Sequence, residues 1–318
     1  MDVLKSLQKM TNEAEELLRD NLEWIERYSD YAKKILSNND TIKKVRSFFY
    51  EPRPLYVYSS ISRAKNAENE RLVTFDLRYR GQSVADIFYK KDKPWLKTKK
   101  NTDKFYGIEG GKTLEWESKD AEKFRGGFAK YPCRNNDGKK NEEHRFESAL
   151  LTELSKEKGS EKILKNIQPV RLAGSRFQMP TPFKASKGKP VYAEHKGGGI
   201  DLLCRRNRKL YIFELKDEYE DPINVLRQAV IYSVFIHKLL RTPKAKSDNW
   251  WNLFGFRKAP DTSHPLQINA VAALPIKKEN DTSFAKKEIK VEGGSIQLHY
   301  FYFSLSKTDK VETIDTSF

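Results

Sequence analysis

The sequence predicts an α/β protein: a mixed sheet flanked by helices, preceded by an N-terminal helical and β-rich region. Three observations predict it. Residues 200–203 and 211–215 are near-continuous apolar runs of strand length, with Asn207-Arg208 as a turn between them. Helical patterns bracket this pair, Glu142–Lys158 before it and Pro222–Leu240 after it. Strand-like stretches punctuated by turn residues fill the segment from Leu55 to Glu117. Apolar runs without alternation suggest strands buried on both faces.

In chain order, residues 1–40 form an N-terminal helical segment. Val3, Leu4, Leu7, Ala14, Leu17, Leu18, Leu22, Ile25, Tyr28, Ala32, Ile35 and Leu36 recur at helical spacing, which predicts one or two helices ending at Asn38-Asn39-Asp40. Their acidic outer face is a solvated surface or a dimerising one. A short helix is expected within Thr41–Tyr50. Residues 41–135 read as a small β-rich module suited to substrate recognition. Leu55–Ile61 is a strand, and Leu72–Tyr79 with Ser83–Tyr89 form a hairpin about Arg80-Gly81-Gln82, where glycine tolerates positive φ. Thr113–Glu117 is a further strand, and Asp120–Arg125 a short helix ended by Gly126-Gly127. Lys90–Lys100 surrounds Trp95 with lysines, which suits nucleic-acid contact or a solvated loop with the indole packed inward. Pro, Asn, Asp and Gly cluster in Tyr131–Lys140, and the domain boundary is expected there.

Residues 136–318 form the second domain. Its first helix buries Phe146, Leu150, Leu151 and Leu154, and Glu147 falls inside that stripe, with Glu143 one turn earlier. A carboxylate among core residues needs a partner. Ile167–Phe177 reads as one strand, leading into a basic, Pro-rich loop. Gly197–Gly199 permit close approach by backbone or phosphate, and their spacing is neither a dinucleotide fingerprint nor a P-loop. His195 is a lone loop histidine. Asp221-Pro222 suits N-cap and first helical position. Trp250, Trp251, Phe254 and Phe256 read as core-capping before base-stacking. Leu266–Ile276 and Leu298–Leu305 close the sheet, and Ser306–Phe318 reads as a loosely ordered tail.

The chemistry sits in Gly197–Tyr232. A hairpin about Asn207 and Arg208 sets Arg206 opposite Lys209, Cys204 opposite Tyr211, and Asp201 opposite Glu214. Like charges facing each other across strands are destabilising, and a divalent cation held between two carboxylates relieves this. Lys216 lies two residues beyond Glu214, on the same face. There it can orient or help deprotonate an attacking water, or stabilise charge on phosphorus. The competing reading is a surface hairpin that happens to carry these charges.

The run GGGID followed by FELK resembles the core motif of the PD-(D/E)xK nuclease superfamily, with Asp201 in the Asp position and Glu214 and Lys216 in the ExK. Gln228-Ala-Val-Ile-Tyr232 is similar to the QxxxY signature of the RecB-type branch. The Pro of the family name is absent, since Gly199 and Ile200 precede Asp201. The resemblance covers roughly residues 140–305. It implies a restriction-endonuclease-like sheet and a Mg2+-dependent (or Mn2+-dependent) nuclease leaving 5′-phosphates. Asp201 and Glu214 would hold the metal, the Leu215 carbonyl would add a ligand, and Glu147 would be the third acidic group with Glu143 in reserve. Gln228 and Tyr232 would face the substrate, with Arg227 a further phosphate contact. A nucleic-acid-binding protein without turnover, on the same scaffold, is the alternative.

Composition agrees with an anionic partner. Formal net charge is +16, and residues 1–40 hold six Lys/Arg against nine Asp/Glu, so the remainder carries +19. Such an excess favours a polyanion, and nucleic acid is the usual one; the partner expected for the nuclease is DNA before RNA, and cutting both strands would favour a homodimer. Cys133 and Cys204 lack metal-ligand spacing, and Cys204 reads as a buried thiol, which fits a reducing cytoplasm. No apolar run is long enough to span a bilayer.

Overall fold

A computed structural model describes residues 2–318 apart from 38, 41–42, 44–46, 48–53, 62–72, 91–92, 131–141, 155–165, 173–174, 186–188, 195–196, 218, 261–262 and 278–280. The expected domain boundary, His195, Cys133 and most of Thr41–Tyr50 lie outside the described residues.

The N-terminal segment is two helices, α1 (Val3–Asp20) and α2 (Glu23–Ser37), broken at Asn21-Leu22. The first sheet then begins with β1 (Leu55–Ile61), β2 (Val73–Tyr79), β3 (Gln82–Lys90), β4 (Lys93–Thr98) and β5 (Thr113–Glu115), antiparallel in the order β5-β4-β3-β2-β1. The β2–β3 turn uses Arg80 and Gly81 at positive φ, as expected for a two-residue hairpin. The basic stretch around Trp95 is largely strand β4, paired with β3. Short α3 (Thr102–Tyr106) and α4 (Lys119–Lys130) complete this region. Helix α4 runs through Gly126 and Gly127, contrary to the expected stop. Buried Phe128 anchors it against Tyr79 and Tyr106, and buried Phe124 packs on Phe128 one turn earlier. That packing offsets the roughly 1 kcal/mol that each helical glycine costs.

The second sheet has the order β14-β15-β13-β12-β11-β6, with β16 also paired to β15. After α5 (Glu142–Leu154) the chain makes β6 (Gln168–Pro169) in this sheet. It then crosses to the first sheet as β7 (Arg171–Leu172) and β8 (Ser175–Gln178), the latter parallel to β1. The single strand expected over Ile167–Phe177 is thus shared between two sheets. A two-stranded ribbon, β9 (Phe183–Lys184) and β10 (Val191–Tyr192), precedes the central hairpin β11 (Leu202–Arg206) and β12 (Lys209–Leu215). Next come α6 (Pro222–Leu240), α7 (Lys244–Leu253), β13 (Leu266–Pro275), β14 (Glu288–Val291), β15 (Gly294–Leu305) and β16 (Val311–Thr316). Asp221 caps α6, its Oδ1 accepting from the Ile223 N–H at 2.8 Å.

Helices cover both faces of this sheet. Phe146, Leu150 and Leu154 of α5 share one core with Tyr211, Phe213, Leu215, Phe301 and Phe303. Leu226, Val230 and Val234 of α6 share the other with Leu210, Ile212, Ala270 and Ala272. Every residue of β12 after Lys209 is buried, Glu214 included, as its near-continuous apolar run predicts. The helices α1 and α2 cover α6 and α7: Trp24 meets Phe235 edge-on, and the Trp250 indole N–H donates to the Tyr28 carbonyl at 3.1 Å. Trp250, Trp251, Phe254 and Phe256 are all buried, which is the core-capping role. The expected loose tail is instead β16, and Phe318 packs on Tyr211 and Phe213. No helix among the described residues is long and apolar enough to cross a membrane.

Candidate active site

The β11–β12 register pairs Cys204 with Tyr211 and Arg206 with Lys209, the expected alignment, and Asn207 takes positive φ at the turn. Continuing that register places Asp201, one residue before β11, opposite Glu214. The Asp201 Oδ2 accepts from the Leu215 N–H at 2.9 Å, which fixes the carboxylate against the end of β12. The Lys216 ammonium donates to Glu214 Oε1 at 2.8 Å, to Glu143 Oε1 at 2.7 Å and to the Leu215 carbonyl at 2.9 Å.

Glu143, Asp201 and Glu214 each offer one carboxylate oxygen, all within 4.8 Å of one another, and this cluster could hold a metal ion. Three hard oxygen donors suit Mg2+ or Mn2+. The buried Oε2 of Glu214 has no hydrogen-bond partner among the described residues, which leaves a ligand atom to spare. The donor set therefore fits the ion that the sequence implies.

Electrostatics point the same way. Burial pushes the Asp201 carboxyl up to about 7; Lys216 opposes this, and the charges of Glu147 and Glu143 add to it. Burial, then the nearby Asp201 charge, holds Glu214 well above the ordinary carboxylate range. Burial works against the Lys216 ammonium, but Glu214, Asp201 and Glu143 more than overcome it and raise its pKa. The lysine is thus a cation at neutral pH, suited to stabilising negative charge and unsuited to accepting a proton.

Among the described residues, the carboxylate that joins Asp201 and Glu214 in the cluster is Glu143, the reserve choice, and Glu147, expected to help through a water, is not in that cluster. Both lie on α5, one turn apart, and the N-terminal one reaches the end of β12. Glu147 is buried behind the cluster, with Oε2 3.6 Å from His144 Nδ1, while its Oε1 lacks a hydrogen-bond partner among the described residues. It acts on Asp201 through its charge and is felt by Tyr58 and Arg78 of the first sheet.

Gln228 and Tyr232 are brought to the cluster. The Gln228 amide donates to the Tyr232 hydroxyl at 3.2 Å. Burial, then the Glu214 charge, raises the Tyr232 pKa. A Cβ at Gly198 would run into the Tyr232 hydroxyl, and one at Gly197 into the Thr181 carbonyl. The glycine run therefore makes room for the chain's own backbone and for Tyr232. Sequence reasoning had the close approach but missed its partner, the segment Met179–Phe183, because that contact is local to no motif. Arg227 is drawn elsewhere: it donates to Asn224 Oδ1 at 3.0 Å and reaches Ser6 of α1 at 3.5 Å.

Compared with known proteins, the chain matches no family model, no curated protein and no solved structure.

Proposed function

We propose that this protein is a divalent-metal-dependent nuclease that hydrolyses phosphodiester bonds, with DNA as the favoured substrate. The observation that carries the reading is the convergence of Glu143, Asp201 and Glu214 around the Lys216 ammonium. The order helix, antiparallel hairpin, helix, parallel strand around that site supports a restriction-endonuclease-like sheet. Asp201, Glu214 and Glu143 would hold Mg2+ or Mn2+, with the Leu215 carbonyl beside them. Such an ion supplies polarisation of the phosphate and stabilisation of the leaving oxygen.

The chain's own groups do the rest. Lys216 stays protonated, orients the attacking water and stabilises charge on the phosphate oxygens. Asp201 is held in place by the Leu215 N–H, so its geometry is set before substrate arrives. Tyr232, with Gln228 donating to its hydroxyl, lines the α6 side of the site. The net charge of +16 supports a polyanionic substrate.

Asp201→Ala and Lys216→Ala test the reading. Each is expected to lower Mg2+-dependent cleavage of plasmid and oligonucleotide DNA by at least about a thousandfold, a loss on the scale of a single key electrostatic group. DNA binding in EDTA should be largely retained. Cleavage at the wild-type rate by either variant would remove the proposal.

A further inference from the structure

At the far end of the β11–β12 hairpin from the carboxylates lies a second feature, a surface cleft of about 810 Å3. Its size suits a small-molecule or nucleotide-unit site. Three separate segments bring charge to it: Arg205 and Arg208 from the hairpin, Lys244 and Asp248 from α7, and Arg257 and Lys258 from the turn after α7. Five cations thus face one carboxylate.

The cleft is built rather than incidental. Arg205 donates to the Gly255 carbonyl and, at 3.0 Å, to Gln168 Oε1, so its guanidinium ties the turn to the hairpin. Gly255 has φ of 82°, and a Cβ there would run into that guanidinium. Phe256, packed edge-on against Trp251, anchors the segment that presents Arg257 and Lys258. The remaining cations, Arg208, Lys244, Arg257 and Lys258, are exposed, and none forms an ion pair with a described residue. Like charges gathered in a concavity raise a positive potential that attracts an anion. The Oδ1 of Asp248 is buried without a hydrogen-bond partner among the described residues.

We infer that this cleft binds the sugar-phosphate backbone of a nucleic acid and anchors it away from the carboxylate cluster. The cleft rests on its own residues; only the choice of nucleic acid over another polyanion rests on the nuclease reading. From Lys209 to Glu214, strand β12 rises about 17 Å at roughly 3.3 Å per residue. At about 3.4 Å per nucleotide of a B-form strand, the two sites are at least about five nucleotides apart.

The experiment is equilibrium binding of a fluorescein-labelled 20-base-pair DNA duplex, by anisotropy in EDTA over a salt series. The double variant Arg257→Glu/Lys258→Glu is expected to weaken binding at least tenfold. It should also flatten the dependence of log K on log salt by about 1.8, the release of two phosphate contacts. The control Lys5→Glu/Lys9→Glu, on exposed positions of α1 in the net-acidic N-terminal segment, should change affinity less than threefold. An affinity within threefold of wild type for the cleft variant, or an equal loss in the control, overturns the proposal. Displacement of the duplex by 1 mM AMP would assign the cleft to a free nucleotide and overturn the backbone anchor. Cleavage in Mg2+ is scored separately on the wild type, so an inactive protein that still binds through the cleft sinks the nuclease reading alone.

Discussion

Lys216 donates to two carboxylates and a carbonyl, and burial keeps Asp201 and Glu214 beside it above the ordinary carboxylate range. Asp201, pushed up to about 7, and Glu214, raised further by its burial, bind protons more tightly in the fold than in the unfolded chain. In the metal-free protein the contribution of Asp201 to stability is therefore fully present below its unfolded value near 3.8 and is lost as pH rises through about 7. A divalent cation competes with those protons, so its affinity rises with pH. Calorimetry with Mg2+ should show binding tighten by about tenfold between pH 6 and pH 8, with the largest metal-induced rise in Tm above pH 7. Glu143→Gln is expected to weaken that binding at least tenfold and Glu147→Gln less than threefold. The reverse order would favour Glu147 over Glu143 as the third acidic group at the metal.

At the scale of elements, the site depends on how three segments abut. The strip Gly197–Ile200 lies antiparallel to Met179–Phe183, with the Gly198 N–H donating to the Phe183 carbonyl at 2.6 Å and the Ile200 N–H to the Met179 carbonyl at 2.8 Å. That pairing delivers the chain into Asp201 and presses Gly198 against Tyr232 of α6. Gly198→Ala should displace the tyrosine ring and cost about 1–3 kcal/mol, the usual price of overpacking. A thermal melt lowered by several degrees, with cleavage reduced and the Asp201 cluster still binding Mg2+, is the expected pattern. Unchanged stability and activity would mean that the close approach is not needed. The Arg80-Gly81 turn of the first sheet lies against His144 of α5. Arg80 and Arg145 of α5 both bond Asp309, at 2.7 Å and 2.6 Å, so hairpin, helix and the β15–β16 turn hold one another.

Across the whole molecule, the N-terminal helices and the α6 layer share one core, with Leu7, Ala14, Trp24, Tyr28, Ala32 and Ile35 all buried in it. Trp24 is 3% exposed, and its indole N–H donates to the Leu18 carbonyl at 2.9 Å. Trp24→Ala should cost about 3–5 kcal/mol, a large part of the roughly 5–15 kcal/mol that holds a typical domain together. The denaturant midpoint should fall accordingly, and the α6 signal should be lost in the same transition as that of the N-terminal helices. Two separated transitions would show instead that residues 3–37 fold as an appendage.

What could be read from the letters alone was local. The β11–β12 register, the cap of α6 and the buried stripe of α5 follow from spacing, because turn chemistry and side-chain periodicity act over a few residues. That reach also placed Asp201 opposite Glu214 and Lys216 beside it. The choice between Glu143 and Glu147 needed the docking of α5 on the sheet, since both lie near one helix face and differ by one turn. The continuation of α4 through two glycines, the edge strand β16 and the shared strand over Ile167–Phe177 were equally out of reach. In each case distant partners supply packing or ladder bonds that outweigh local propensity, and nothing in the neighbouring residues encodes them.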